Sequence, residues 1–287
     1  MTLQTAIVEP APAKLNLALH VRRRRADGYH DIETLFAFCR DGDQVTLVDG
    51  AADRFRITGP FAAALGGSAA GGASPASADD NLVVRALHAF RAVFAVDQPH
   101  DIKLEKNLPV ASGIGGGSAD AAATLRALAR RHDVPTEDPR LVDIAAGLGA
   151  DVPACLSGQT AFGTGKGDAL VPLGRWQGTP VLLVNPGVGV STAAVFRGWD
   201  GVDRGALDPN RPENGRNDLE PPARAMAPVI ADVVALLEAQ RGVTLARMSG
   251  SGATCFALFE EAADRDAAGR AVTATCADWW QLATTLA

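Results

Sequence analysis

The sequence contains no apolar run near the roughly 20 residues that would cross a bilayer. Its start, MTLQTAIVEPAPAKLNLAL, has no basic region leading into an apolar stretch. A cytoplasmic protein without a membrane partner is therefore expected. Cysteine is scarce: Cys39, Cys155, Cys255 and Cys276 lie far apart with no CxxC pair, which excludes a disulfide framework and a zinc site built on thiols. The five histidines are scattered without ligand spacing, so no protein metal site is expected. Basic excess is missing too. The net charge of −6 argues against broad nucleic-acid binding, with one local exception, the run RRRR at Arg22 to Arg25. That run reads either as a solvated hairpin end or as a place where one or two arginines attract an anionic ligand.

What is present is ordinary globular material. The chain has 287 residues, 47% apolar and 21% charged, enough for two domains or one large domain with a second lobe. AKLNLALHV alternates Leu15, Leu17 and Leu19 against Asn16, Ala18 and His20, the period-2 pattern of a strand with one buried face. IETLFAFC, QVTLV and RFRIT read as further strands, and GGSAAGGASPAS, Gly66 to Ser77, as a flexible surface loop. A capped helix is expected over SADDNLVVRALHAFRAVF, then a strand in HDIKLEKNLP. The second half alternates again, with strands in PVLLVNPG, in TLARM and TCFALF around a glycine turn and in DWWQLAT, and with helices in APVIADVVALLEAQ and EEAADRDAAGRAVTA. The pattern is α+β in two lobes. The expected division is 1–155 and 156–287.

The most informative stretch is LPVASGIGGGSADAAATLRAL, Leu108 to Leu128, where glycines run directly into strong helix formers. The first amides of a helix lack internal partners, and the aligned peptide dipoles place roughly half a positive charge there. Glycine removes the Cβ that would hold phosphate oxygens off those amides. Gly113, Gly115, Gly116, Gly117 and the hydroxyl of Ser118, expected as the N-cap, would form an anion cradle; the alternative is a tight strand-to-helix turn. No lysine precedes Ser118, so the stretch is not GxxxxGK[ST], and it lacks the acidic partner of a dinucleotide fingerprint. Asp120 in the first turn would repel a phosphate if it faced the same way. Two further pieces stand out: MSGSGATCF, from Met248, is a second glycine-serine turn, and Lys14 immediately precedes a strand.

Taken in order, PAKLNLALHV, ADGYHDIETLF, NLPVASGIGGGSADAAATL, LGADVPACL, GTGKGDAL, NDLE and MSGSGATCF resemble the GHMP kinases, the superfamily of galactokinase, homoserine kinase and mevalonate kinase. The resemblance runs from about residue 10 to about residue 260. It is most specific for a member that phosphorylates the 2-hydroxyl of a methylerythritol carried on cytidine diphosphate, in the non-mevalonate route to isoprenoid precursors. It implies a two-lobe fold with an N-terminal catalytic and nucleotide-binding lobe, a smaller C-terminal α+β lobe and the active site in the cleft between them. ATP would be the phosphoryl donor, and Mg2+ would accompany it, held by phosphates, water and a few protein oxygens.

The resemblance also assigns residues. Pro109, Val110, Ala111, Ser112, Gly113, Ile114, Gly115, Gly116, Gly117, Ser118 and Ala119 become the phosphate loop. Ser112 and Ile114 stand where the family usually has a small residue and leucine. Lys14 and Asp151 become the catalytic pair: the aspartate accepts the hydroxyl proton, and the ammonium steadies charge at the reacting oxygen. Tyr29, the sole tyrosine, would stack on cytosine while His30 meets its edge. For these two, core packing of Tyr29 and a surface role for His30 are the structural alternatives. Asn16 would help hold the substrate, Asn81 would lie near the adenine, and Gly250, Ser251 and Gly252 would support the phosphate loop and substrate channel. Another small alcohol as substrate, or a nucleotide-binding regulator without turnover, are the competing readings.

Overall fold

The structure, a computed structural model, describes residues 5–67 and 81–287. Most of the small-residue loop expected from Gly66 to Ser77 lies outside the described residues. The chain divides into two compact units, one of Met1–Ala13, Asp41–Val110 and Gly115–Gly158, the other of Lys14–Arg40, Ala111–Ile114 and Gln159–Ala287. Two long strands, β1 (Ile7–Arg24) and β2 (His30–Asp49), contribute to both. IETLFAFC and QVTLV, expected as separate strands, are one continuous β2. The glycine at their junction is tolerated because a Cβ on Gly42 would sit 2.2 Å from the Ala11 carbonyl oxygen, so only glycine lets β1 approach this closely.

In the first unit β2 pairs antiparallel with β4 (His100–Glu105) through Gln44–Asp49, and β3 (Arg54–Thr58) lies parallel on the far side of β4. Helix α1 (Leu82–Phe94) is capped by Asn81, whose side chain accepts from the Val83 amide at 2.9 Å. Its buried stripe of Val83, Ala86, Leu87 and Phe90 has helical spacing. Helix α2 (Gly116–Arg131) buries an alanine-rich face, with α3 (Pro139–Leu148) and the short α4 (Val152–Ser157) following.

In the second unit β2 pairs through Thr34–Phe36 with β5 (Ala161–Thr164), which pairs in turn with β6 (Ala169–Pro172). The single buried face expected for AKLNLALHV is wrong. Every residue from Ala13 to Val21 is buried, polar Asn16 and His20 included. Their burial is possible because each is hydrogen-bonded, Asn16 to Thr34 at 2.7 Å and His20 to the Gly205 carbonyl at 3.0 Å. A second, antiparallel sheet contains β7 (Pro180–Asn185), β8 (Val243–Met248), β9 (Cys255–Phe259) and β10 (Trp280–Thr285) in the order β10-β7-β9-β8. Around it lie α5 (Thr192–Arg197), α6 (Glu220–Met226), α7 (Val229–Glu238) and α8 (Ala262–Thr275). Leu182, Val184, Ile230, Val233, Ala257 and Val272 anchor its core.

Candidate active site

The glycine stretch becomes a backbone device. Ala111, Gly113 and Gly115 all take positive φ, at 51°, 78° and 67°. The left-handed turn at Gly115 delivers the chain straight into α2, so the helix starts at Gly116 with Gly115 in the cap position and no side-chain cap. Ser118, expected as the N-cap, is instead the third helical residue. A glycine cap has the opposite chemical consequence to a serine cap: no side chain caps the leading amides, and an external acceptor can approach them. Gly117 packs beside Leu82 of α1, since a Cβ there would stand 3.5 Å from Leu82 Cδ1. Asn81, the cap of α1, is thereby brought next to the turn.

Asp120 does not act on this cradle as a bare charge. Its Oδ2 accepts from the Lys106 ammonium at 2.8 Å, and Lys106 also binds Asp43. Asp43 accepts from the Asn107 and Leu108 amides at 2.6 and 2.8 Å, which fixes the segment leading into the loop. All three side chains are buried. Burial pushes the Asp120 carboxyl up to about 7 against the pull of Lys106, while Asp120 and Asp43 together hold the Lys106 ammonium above its usual range despite burial. Nothing in the sequence hinted at this triad, because positions 43, 106 and 120 share no local spacing.

In the second unit Ala111–Ile114 lies against the turn that links β8 and β9. Ser249 Oγ donates to the Gly113 carbonyl at 3.1 Å, and the Thr254 amide donates to the Ser112 carbonyl at 3.1 Å. The backbones touch: a Cβ on Gly113 would sit 2.5 Å from the Ser249 oxygen, and one on Gly250 would sit 2.9 Å from the Gly113 oxygen. Asn217, from the NDLE motif, holds this turn by donating to the carbonyls of Met248 and Gly250, both at 2.8 Å. Ser251 Oγ lies 2.8 Å from Thr192 Oγ1.

Lys14 leads the same unit. Its amide donates to the Ile114 carbonyl at 2.9 Å, and its ammonium donates to Asn16 Oδ1 at 3.0 Å and stands 4.8 Å from the Phe36 ring centroid. Asn16 is itself oriented: its amide nitrogen donates to Thr34 Oγ1 at 2.7 Å, and Thr34 donates to the Ala18 carbonyl at 2.8 Å. Thr34, overlooked in the sequence, thus sets which end of Asn16 meets Lys14. Asp151 belongs to the first unit, in the cap position of α4 and partly exposed, with Pro153 in the first turn of that helix.

The hairpin between β1 and β2 presents DGYH. Gly28 takes φ +86°, and Tyr29 projects with 56% of its surface exposed, its ring 5.2 Å from Lys166 Nζ. His30 is the buried partner at 9%, lying between Phe196, at 5.0 Å between ring centroids, and Trp199, at 5.8 Å and nearly perpendicular. Burial and the Arg24 guanidinium hold the imidazole below its usual pKa, so it is neutral at pH 7, and its Nε2 has no hydrogen-bond partner among the described residues. An aromatic face in solvent beside a buried, neutral, unpaired ring nitrogen is suited to a flat polar heterocycle. Each arginine of the RRRR run is engaged within the unit. Arg22 pairs with Asp203 at 3.2 Å, Arg23 with Asp31, Arg24 with the Arg197 and Trp199 carbonyls, and Arg25 with Asp31 at 2.8 Å. A hollow of about 590 Å³ in this unit, lined by Trp176, Pro180, Pro212, Leu245 and Leu258 among others, contains none of the expected site residues. Among the described residues no group of three or more His, Cys, Asp or Glu is placed to hold a metal ion.

GHMP kinases N terminal domain matches residues 81–159, and GHMP kinases C terminal matches 203–278. The chain belongs to the GHMP kinases, ATP-dependent phosphotransferases. Within them it falls among the 4-diphosphocytidyl-2-C-methyl-D-erythritol kinases. It is 54% identical to the enzyme of that name from Rhizorhabdus wittichii, over 97% of this chain and 94% of the relative, and 50% identical to that of Sphingopyxis alaskensis, over 94% and 95%. A solved 4-(cytidine 5'-diphospho)-2C-methyl-D-erythritol kinase superposes with a TM-score of 0.78 at 33% identity, covering 98% of this chain and 99% of that one. The mevalonate kinase of Methanococcus jannaschii, at 10% identity and a TM-score of 0.69, shares the fold.

Proposed function

We propose that this chain transfers the γ-phosphoryl group of ATP to the 2-hydroxyl of 4-diphosphocytidyl-2-C-methyl-D-erythritol, releasing ADP and the 2-phosphate. The observation that carries the substrate reading is the exposed Tyr29 beside buried, neutral His30 with its unpaired Nε2. The first amides of α2, led by Gly115 and Gly116, bind the ATP phosphates, with the loop from Pro109 to Ala119 wrapped around them and Asn81 toward the adenine. Lys14, steadied by Asn16 and the Phe36 ring, neutralises charge gathering at the reacting oxygen. Asp151 accepts the hydroxyl proton. Phosphoryl transfer asks little more of a protein than this positioning and charge neutralisation.

Tyr29 stacks on the cytosine with the Lys166 ammonium nearby, and Gly250, Ser251 and Gly252 support the loop and the substrate. Magnesium would accompany ATP and neutralise charge on its phosphates; among the described residues no group of three or more His, Cys, Asp or Glu is placed to hold it. We keep 1–155 and 156–287 as the functional division of the chain. Replacing Asp151→Asn tests the catalytic assignment: turnover falls by at least about a hundredfold, the lower range for removal of a general base, with the melting temperature unchanged. Near-normal turnover would remove Asp151 from the mechanism.

A further inference from the structure

Trp199 is 4% exposed, and its indole Nε1, a group that can only donate, has no hydrogen-bond partner among the described residues. The ring stands edge-on to His30, whose Nε2 is also buried and unpaired. Buried polar groups are nearly always satisfied, and two unsatisfied ones on adjoining rings mark a place where an external partner supplies the missing bonds. The surroundings hold Trp199 firmly. Arg24 donates to its carbonyl at 2.8 Å and to that of Arg197 at 3.0 Å, the last residue of α5. The Trp199 amide donates to the Phe196 carbonyl at 3.2 Å, and Gly198 between them packs where a Cβ would stand 2.9 Å from Pro222 Cβ.

We infer that Trp199 is a specificity-determining residue of the cytidine site, donating its indole N–H to the base beside His30, and that Arg24 positions it. This rests on the cytidine reading of Tyr29 and His30. The chemistry matches cytosine. Its Watson–Crick edge sets an amine donor beside the N3 acceptor, so the indole N–H meets N3 while the neutral imidazole accepts from the amine. Uracil reverses both, placing N–H where the indole needs an acceptor and a carbonyl where the imidazole needs a donor. A site built to bond one pattern rejects the other, because its own groups would then be left unpaired. The arrangement also explains one arginine of the RRRR run, which holds the far wall of the base site in place.

The test is calorimetric titration of the full chain with cytidine 5'-diphosphate, uridine 5'-diphosphate and ADP. Wild type should bind the cytidine nucleotide at least about tenfold more tightly than the uridine one. Trp199→Phe keeps the ring and removes the N–H; it should lose about tenfold for the cytidine nucleotide, leave ADP unchanged and narrow the preference between pyrimidines. Unaltered cytidine affinity in Trp199→Phe overturns the inference. Failure of the wild type to bind any cytidine nucleotide overturns the cytidine reading itself, a separate result. Should Trp199→Phe fold poorly, Arg24→Gln takes its place. Weaker cytidine binding with unchanged ADP binding supports the positioning role, and unchanged cytidine binding refutes it.

Discussion

Substituting Asp120→Asn removes one of two carboxylates that share a single buried ammonium beneath the glycine turn. Asp43 already accepts from two backbone amides as well as from Lys106. Asp120 accepts from Lys106 through Oδ2, and its Oδ1 has no partner among the described residues. Its carboxyl is raised by burial from an ordinary 3.8 to about 7. Between those values the folded protein keeps a proton that the unfolded chain releases, so this group's contribution to stability is full below about pH 4 and declines as pH rises to 7. At about 1.4 kcal/mol per pH unit the whole displacement is worth roughly 4 kcal/mol, of which about 3 kcal/mol falls between pH 5 and 8. Asparagine keeps the volume and the Lys106–Asp43 pair and has no charge to strand. Urea unfolding of both proteins at pH 5, 6, 7 and 8 should show the asparagine variant gaining on wild type with each step up to pH 7 and levelling above it. A stability difference that is the same at pH 5 and pH 8 would refute the reasoning, because the carboxyl would then be ionised throughout or hydrated.

Two further outcomes follow from the geometry. Gly113→Ala forces a side chain into a left-handed backbone and sets its Cβ 2.5 Å from the Ser249 oxygen; the two costs together should lower stability by about 2–5 kcal/mol, and a wild-type urea midpoint would contradict the close contact. Thr34→Val deletes the hydroxyl that orients Asn16 toward Lys14. It should lower kcat about tenfold with little change in the KM for ATP, while Thr34→Ser restores the rate; equal loss in both variants would point to packing alone.

The sequence displayed the candidate elements that have a local pattern. Glycines crowded against a helix former and a tyrosine and histidine in a turn stood out because those patterns are local, whereas Lys14, expected just ahead of a strand, lies inside β1. What escaped notice depends on contacts between distant positions. The cap of α2 moved from Ser118 to Gly115 because a positive φ starts the helix earlier than side-chain preference suggests. Alternation in AKLNLALHV signalled one buried face, but the polar positions are buried too, satisfied by Thr34, Ser249 and Gly205 from far along the chain. The segment between the two expected strands IETLFAFC and QVTLV is part of one continuous β2, with the Gly42 backbone packed close against Ala11 of β1. The environment of Asp120 could not be read at all. Whether that carboxylate opposes a phosphate or is held neutral depends on its burial and on Lys106 and Asp43, which lie outside its own helix.

The most direct measurement is ADP release by the purified protein with ATP and magnesium, comparing 4-diphosphocytidyl-2-C-methyl-D-erythritol with mevalonate, homoserine, galactose and no acceptor. Turnover confined to the cytidyl compound is the predicted result. ADP formed only with another alcohol, or ATP bound with no ADP released under any condition, would contradict the account.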